Sequence, residues 1–345
     1  MITAVGSEAS PPDPATTRVA AADVGLPEGG VVSAAGDPAA GTSTAMSTGE
    51  RARTLRATAI GVTAVLMWSA TPVLATYVAD VPPFLLLTLA FSIAFSVVCA
   101  RWLLQGGGIG RRFRYPPVAW AIGLGGLLGW HFCYFLAVRH APVAEASLIN
   151  HLWPLLIVLF SALLPGERLR WWHVAGAAAG LFGTVLLVTD GGTVTFKMRF
   201  ATGYALALAC AFIWSGYSVL NRRFARHVST EAVGAFCGAT AALAALGHLA
   251  FEATVWPEGW AWFAVLALGA GPLGAAFFTW DHGTKHGDIR VLGAASYLTP
   301  MLAAALLVGF GRAEASWSLL AACVLITGGA TLAACDLLVP RSEQL

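Results

Sequence analysis

The chain has 345 residues, of which 57% are hydrophobic and only 11% are charged, and its mean hydropathy is +0.72. Soluble domains carry about 25% charged residues, so this composition excludes a soluble globular enzyme. The net charge of +2 comes from basic residues dispersed along the chain, which argues against a nucleic-acid-binding surface.

The first 53 residues are rich in Ala, Gly, Pro, Ser and Thr, which predicts a disordered cytoplasmic tail, with Met46 as an alternative start. From Leu55 onward, apolar stretches of spanning length alternate with short polar breaks. They predict ten transmembrane helices near residues 55–79, 84–104, 117–138, 143–164, 171–189, 200–220, 230–251, 260–280, 291–309 and 316–338. The predicted fold is therefore an all-α polytopic membrane protein with two five-helix units, residues 54–190 and 200–338.

The distribution of basic residues sets the orientation. With the N-terminus inside, fifteen Lys and Arg residues fall in the inside segments and four in the outside segments. Cytoplasmic loops are enriched in Lys and Arg, and a missed or invented span would destroy the asymmetry. The sequence therefore predicts that both termini are cytoplasmic.

The second half of the chain repeats the first at an offset of 146 residues. Trp68-Ser69 matches Trp214-Ser215, Arg139-His140 matches Lys285-His286, and Trp153-Pro154 matches Thr299-Pro300. Because each repeat has five helices, the two copies cross the membrane in opposite senses. Inverted repeats are typical of secondary transporters, with the substrate site where the halves meet. Duplication in a membrane enzyme or a scaffold is the alternative.

Pro154 and Pro300 occupy corresponding positions within spans. A proline inside a helix leaves the carbonyl four residues earlier without its partner, here those of Asn150 and Ser296. Such a carbonyl is costly in hydrocarbon unless it lines a polar cavity. We expect these prolines to be hinges beside a cavity; a plain packing kink is the alternative.

Aromatic residues with a polar group recur at mid-span depth, where they suit a flat solute. They are Trp68, Trp130, Trp153, Trp214, Trp280, Tyr134, Tyr217 and Tyr297, with Ser69, Asn150 and His151 beside them. Each aromatic taken singly is equally compatible with packing against lipid or core. No carboxylate is expected at depth, since Asp281 is placed at the cytoplasmic end of the eighth span, so facilitated diffusion and proton antiport both stay open. The six cysteines form no CxxC pair, and neither a metal nor a cofactor is expected.

Several stretches together resemble one family. They are the Trp-Ser pairs of the first and sixth spans, Leu136-Ala137-Val138-Arg139-His140, and the run from Glu145 to Pro154 that contains Leu-Ile-Asn-His-Leu-Trp-Pro. The chain resembles the EamA family of the drug/metabolite transporter superfamily over residues 55 to 338, and most of all the bacterial aromatic amino-acid exporters. His151 stands where members often carry Tyr.

The resemblance implies an inner-membrane exporter that works by alternating access, with a central cavity formed by spans 1, 3, 4, 6, 8 and 9. The cavity residues it implies are Trp68, Ser69, Trp130, Tyr134, Asn150, His151, Trp153, Trp214, Tyr217, Trp280 and Tyr297.

The hypothesis from the sequence is a monomeric exporter, not an enzyme, that moves aromatic or other apolar amino acids. Trp153 and Trp214 would stack on the solute, while Asn150 and Ser69 would bond its polar end. The partners expected are a small solute and the lipid bilayer, without nucleic acid. An exporter of drugs or other metabolites is the alternative within the superfamily, and an intramembrane enzyme or a scaffold is the alternative outside it.

Overall fold

The computed structural model describes residues 48–106, 109–193 and 195–338. Most of the predicted tail and the last predicted cytoplasmic arginine, Arg341, lie outside these ranges. The described part of the chain is helical and contains no strand. Its membrane-spanning helices are α1 (Thr48–Ser69, continued by Thr71–Ala75), α2 (Pro83–Leu104), α3 (Pro117–His140), α4 (Val143–Ser161), α5 (Trp171–Val188), α6 (Ala201–Phe224), α7 (Ala232–Phe251), α8 (Trp260–His286), α9 (Ile289–Gly309) and α10 (Trp317–Ala333).

The ten predicted helices are confirmed. Within the described ranges, nine helical segments are long and apolar enough to cross a membrane, and α10 is a shorter apolar helix of 17 residues that is followed by Cys335–Leu338. Prolines begin α2 and α3, where the missing N–H has no helical partner to lose. The first helix begins at Thr48 rather than near residue 55, so the end of the predicted tail is helical.

Besides the short break at Ala70 in α1, four helices are interrupted, and these four interruptions follow the repeat. A π-helical turn occupies Gly125–Gly129 in α3, and another occupies Gly271–Ala275 in α8, 146 residues later. The α4 helix divides into an outer segment, Val143–Asn150, and an inner segment, Trp153–Ser161. The α9 helix divides in the opposite order, into an inner segment, Ile289–Ala295, and an outer segment, Leu298–Gly309. Interruptions of this kind in spanning helices mark functional sites.

Most of the basic residues lie at one end of the bundle. The Arg112 side chain, between α2 and α3, bonds Glu231 at the start of α7, and Arg290 of α9 donates to the Arg168 carbonyl oxygen at 2.9 Å. The positive-inside rule identifies this end as cytoplasmic.

The two halves pack closely at the cytoplasmic end. The inner segments of α4 and α9 lie against each other, and a Cβ added at Gly293 would come within 3.0 Å of the Pro154 carbonyl oxygen. The outer segments take different neighbours: that of α4 packs mainly on α6, and that of α9 packs mainly on α1. The central helices therefore converge on the cytoplasmic side and diverge on the outer side.

Candidate substrate site

Four tryptophans from four helices meet at the centre of the bundle. We call Trp68 of α1, Trp153 of α4, Trp214 of α6 and Trp280 of α8 the tryptophan cluster. Trp68 lies 5.2 Å from Trp280, 5.5 Å from Trp214 and 6.4 Å from Trp153, between ring centroids. Trp153 lies 5.8 Å from Trp280 and 6.4 Å from Trp214. Each repeat thus contributes two rings to one aromatic surface.

Hydrogen bonds fix the orientation of two of these indoles. The Trp68 Nε1–H donates to the carbonyl oxygen of Pro272 at 3.0 Å, within the π-helical turn of α8. The Trp280 Nε1–H donates to Ser218 Oγ at 3.1 Å, and that hydroxyl donates to the Trp214 carbonyl oxygen. Buried indole N–H groups need such partners. The rings are therefore held in defined planes, which is what stacking on a flat solute requires.

A second aromatic pair lies beside the cluster. Trp130 and Tyr134 of α3 stack at 5.1 Å with an angle of 6° between their planes. The Trp130 Nε1–H donates to Asn150 Oδ1 at 3.2 Å. Asn150 ends the outer segment of α4 and Trp153 begins the inner one, so the α4 break joins this pair to the tryptophan cluster.

Two further aromatic residues adjoin the cluster: Phe277, which the sequence did not predict, and Tyr217, which it did. Phe277 lies 6.0 Å from Trp68 and 5.7 Å from Trp214, between centroids. It lacks a polar group, so the pattern of deep aromatic residues with polar groups does not include it. Its spacing of three residues before Trp280 places it on the same helix face and would have found it. Tyr217 stacks on Trp214 at 5.0 Å.

Three predicted site residues have other contacts. Tyr297 is completely buried away from the tryptophan cluster, and its hydroxyl accepts the Leu155 N–H at 3.2 Å. The Ser69 hydroxyl donates within its own helix, to the Leu66 carbonyl oxygen. His151 Nδ1 lies 2.7 Å from the Ser147 carbonyl oxygen. Their role in binding a solute stays a prediction.

The predicted hinge prolines lie just after the helix breaks. Pro154 is the second residue of the inner segment of α4, and Pro300 is in the first turn of the outer segment of α9. A first-turn proline costs no helical bond. The expectation of an unpaired Ser296 carbonyl is wrong, because the Thr299 N–H donates to it at 3.0 Å. Their role as hinges stays a prediction.

An ion pair lies buried directly below the tryptophan cluster, on the cytoplasmic side. Lys285 Nζ is 2.9 Å from Asp281 Oδ2, and both residues are only 1% exposed. Asp281 also accepts bonds from Asn221 Nδ2 at 2.7 Å and from Thr230 Oγ1 at 2.6 Å. The sequence places Asp281 at the cytoplasmic end of the eighth span, and the structure shows that it is buried there by protein contacts. The α8 helix continues to His286, beyond the predicted end at residue 280, and the α6–α7 loop covers its end.

A second set of charges ties the cytoplasmic ends together. The Arg222 guanidinium donates to the carbonyl oxygens of Thr284 and Gly287 and pairs with Glu167. Arg290 pairs with Asp288 at 2.6 Å and with Glu167 at 3.5 Å. Burial acts to raise the pKa of Asp288, but the bonds and charge of Arg290 outweigh burial and hold that pKa below its ordinary value. These charges join the α4–α5 loop to α6, α8 and α9 across the repeat boundary.

The site combines an aromatic surface with a few polar groups. Within the described ranges, no group of three or more His, Cys, Asp or Glu residues could hold a metal ion. An apolar groove of about 650 Å³ between α2, α3 and α7 is lined by Phe84, Trp120 and Phe132 among others, and it contains none of the predicted site residues. The centre therefore brings together aromatic rings that pack on one another and a few polar side chains.

Comparison with known proteins gives two family matches. The model of the EamA-like transporter family matches residues 55–189 and again residues 201–335. The second match begins 146 residues after the first, at the offset of the sequence repeat.

Individual relatives and one solved structure are similar to the chain over most of the region that the family model matches. The chain is 54% identical over 278 residues to the aromatic amino acid exporter YddG of Ancylobacter novellus, covering 80% of this chain and 96% of the relative. It is 28% identical to the protein of the same name in Escherichia coli, over 57% of this chain and 68% of the relative, and 25% identical to the pseudopaline exporter CntI of Pseudomonas aeruginosa, over 74% of this chain and 85% of the relative. A protein known from its crystal structure superimposes with a TM-score of 0.76 at 52% identity, covering 81% of this chain and 98% of its own.

Proposed function

The chain belongs to the EamA-like transporter family and is a multi-pass protein of the bacterial inner membrane, and on that premise we propose that it exports aromatic amino acids from the cytoplasm by alternating access. The tryptophan cluster is the observation that carries the proposal. Its four rings lie where the two repeats meet, beside the break in α4 and the π-helical turn in α8. An aromatic side chain would stack among these rings, and Asn150 would bond its polar end.

The packing of the two halves supports alternating access. In this structure the inner segments of α4 and α9 are in contact, and the ion pairs of Arg222 and Arg290 hold the cytoplasmic ends together. Because the repeats are inverted, rocking of one half against the other would separate these ends and bring the outer segments together. The conformation described is thus closed toward the cytoplasm.

The test is transport by purified protein in liposomes that contain radiolabelled tryptophan, with and without a pH gradient. Trp153→Ala and Trp214→Ala should reduce efflux by tenfold or more, because each removes a face of the aromatic surface. Trp260→Ala is the matched control, since this tryptophan is 76% exposed on the outside of α8 and touches no ring of the cluster.

Unchanged efflux in both cluster variants, at normal protein levels, would disprove the role of the cluster. No tryptophan flux from folded wild-type protein would instead favour the drug or metabolite reading, which the relationship to a pseudopaline exporter keeps open. A screen of planar organic cations would then follow. The response to the pH gradient separates facilitated diffusion from proton antiport.

A further inference from the structure

The buried pair of Asp281 and Lys285 continues directly from the aromatic surface. Asp281 follows Trp280 in the chain, and Lys285 lies one helical turn nearer the cytoplasm. Lys285 Nζ also donates to the Val228 carbonyl oxygen at 2.9 Å, so two of its three N–H groups are used. The carboxylate accepts from Asn221 and Thr230 as well as from Lys285. Both charges are thus sealed between the tryptophan cluster and the α6–α7 loop.

Stability alone does not explain such a pair. A buried ion pair contributes no more than well-packed apolar residues of the same volume, because desolvation offsets the attraction. An ionisable residue within a membrane span is costly to bury, so it is a candidate functional residue by default. A free amino acid carries one positive and one negative charge, so it is complementary to a pair of opposite charges that lies beside the proposed amino-acid site.

The Tyr217 hydroxyl provides an independent sign of a missing ligand. Tyr217 is 3% exposed, its ring stacks on Trp214, and its hydroxyl has no partner among the residues that the structure describes. It lies one turn from Asn221 on α6, and the Asn221 amide donates to Asp281 at 2.7 Å. Buried hydroxyls are nearly always paired. Tyr217 thus adjoins the tryptophan cluster through Trp214, and it shares one face of α6 with Asn221, a partner of Asp281.

The pair exists in only one repeat. At the offset of 146, Asp281 corresponds to Phe135 and Lys285 corresponds to Arg139. Phe135 has no charge, and Arg139 is exposed at the outer end of α3. Because the repeats are inverted, the Asp281–Lys285 pair lies at the cytoplasmic end, and the corresponding positions at the outer end, Phe135 and Arg139, have no carboxylate. The two ends of the transport path therefore differ chemically.

We propose that Asp281 and Lys285 form the loading site for the zwitterionic head group of an amino acid that arrives from the cytoplasm. Lys285 binds the α-carboxylate, Asp281 binds the α-ammonium, and the Tyr217 hydroxyl completes the site. When the cytoplasmic ends separate, the head group replaces the internal ion pair with two intermolecular ones. The solute then moves on to the central site, where its side chain stacks on the tryptophan cluster and Asn150 bonds its polar end. In the empty protein the two residues bind each other and help to keep the path closed. This inference rests on the proposed function.

Charge recognition gives the expected size of the effect. A hydrogen bond to a charged group contributes about ten- to a hundredfold in affinity. Tryptamine lacks the carboxylate and indole-3-propionate lacks the ammonium group, while both keep the indole. In wild-type protein each analogue should therefore inhibit tryptophan transport only at concentrations about ten- to a hundredfold above those of tryptophan itself.

The experiment measures inhibition of labelled tryptophan flux in proteoliposomes by unlabelled tryptophan, tryptamine and indole-3-propionate. In Lys285→Met, the advantage of tryptophan over tryptamine should fall by at least tenfold. In Asp281→Asn, the advantage over indole-3-propionate should fall by at least tenfold. Glu167→Gln is the control, because Glu167 belongs to the same cytoplasmic closure but contacts neither residue, and its ratios should equal those of wild type.

A double variant guards against misfolding. A single substitution leaves one buried charge without its counterion, whereas Asp281→Asn combined with Lys285→Met leaves none and should fold. This variant should transport tryptophan with lower affinity and should not discriminate among the three ligands. Wild-type discrimination retained in the double variant would overturn the inference and leave the proposed function intact. Absence of tryptophan flux in wild type would overturn both.

Discussion

Replacing Ser218 by alanine should destabilise the protein because it removes the hydrogen-bond acceptor of one buried indole, that of Trp280. Ser218 and Ser215 are both completely buried on α6, three residues apart. The Ser218 hydroxyl accepts the Nε1–H of Trp280, which is itself completely buried. The Ser215 hydroxyl donates only to carbonyl oxygens of its own helix, those of Ala211 and Phe212. The two serines thus differ in whether removing the hydroxyl abandons a buried donor.

The magnitudes follow from that difference. Ser218→Ala leaves the Trp280 N–H without an acceptor, which costs about 1–3 kcal/mol in the free energy of unfolding. Ser215→Ala removes a bond to carbonyls that already accept within the helix, and alanine has the better helix propensity by a few tenths of a kcal/mol, so its effect should stay within about 0.5 kcal/mol of zero.

Unfolding in mixed micelles by titration with sodium dodecyl sulfate, followed by far-ultraviolet circular dichroism, measures both variants against wild type. Ser218→Ala should unfold at a clearly lower detergent fraction than Ser215→Ala. Equal midpoints for the two would refute the assignment of Ser218 as the anchor of Trp280. A large loss in Ser215→Ala alone would show that intrahelical bonds dominate at this depth.

Two further predictions concern contacts at the cytoplasmic ends of α8 and α9. Gly283→Ala should cost about 1–3 kcal/mol in unfolding free energy, because the new Cβ would lie 2.5 Å from the Gly61 Cα of α1. Gly216→Ala is the control, since its Cβ would meet nothing within 4 Å, and it should be neutral or stabilising in the same titration. Equal losses of stability in both variants would refute the argument. The lowered pKa of Asp288 means that its pairing with Arg290 stabilises the fold above the ordinary pKa of 3.8 and is lost as the pH falls through the lower folded-state value. Asp288→Asn should therefore be less stable than wild type above pH 3.8, and the difference in unfolding free energy between the two should shrink as the pH falls below 3.8. A difference that does not change with pH would contradict this prediction.

The sequence predicted the number and sense of the helices because those properties are local. Runs of apolar residues set the spans, and the asymmetry of Lys and Arg set the orientation. The offset of 146 residues paired Trp68 with Trp214, and the structure places these two rings 5.5 Å apart. The repeat thus identified the centre of the bundle before any contact was known.

The sequence did not predict which direction each side chain faces around its helix. Tyr297 has the depth and polarity of a site residue, yet the outer and inner segments of α9 turn it toward Leu155 and the backbone of α4. Phe277 has no polar group, yet it faces the tryptophan cluster. Depth along the membrane normal can be counted in residues, whereas the face that a residue presents depends on which helices pack beside it.

The sequence by itself determined that this protein crosses the membrane in ten helices as two inverted halves, because burial in lipid and translocation of charged loops are decided segment by segment. Only the tertiary structure decided that Asp281 and Lys285 are buried together, since their burial requires Asn221, Thr230 and Val228 from distant parts of the chain. It also decided which end is closed, because closure is a set of contacts between the halves that no single helix encodes.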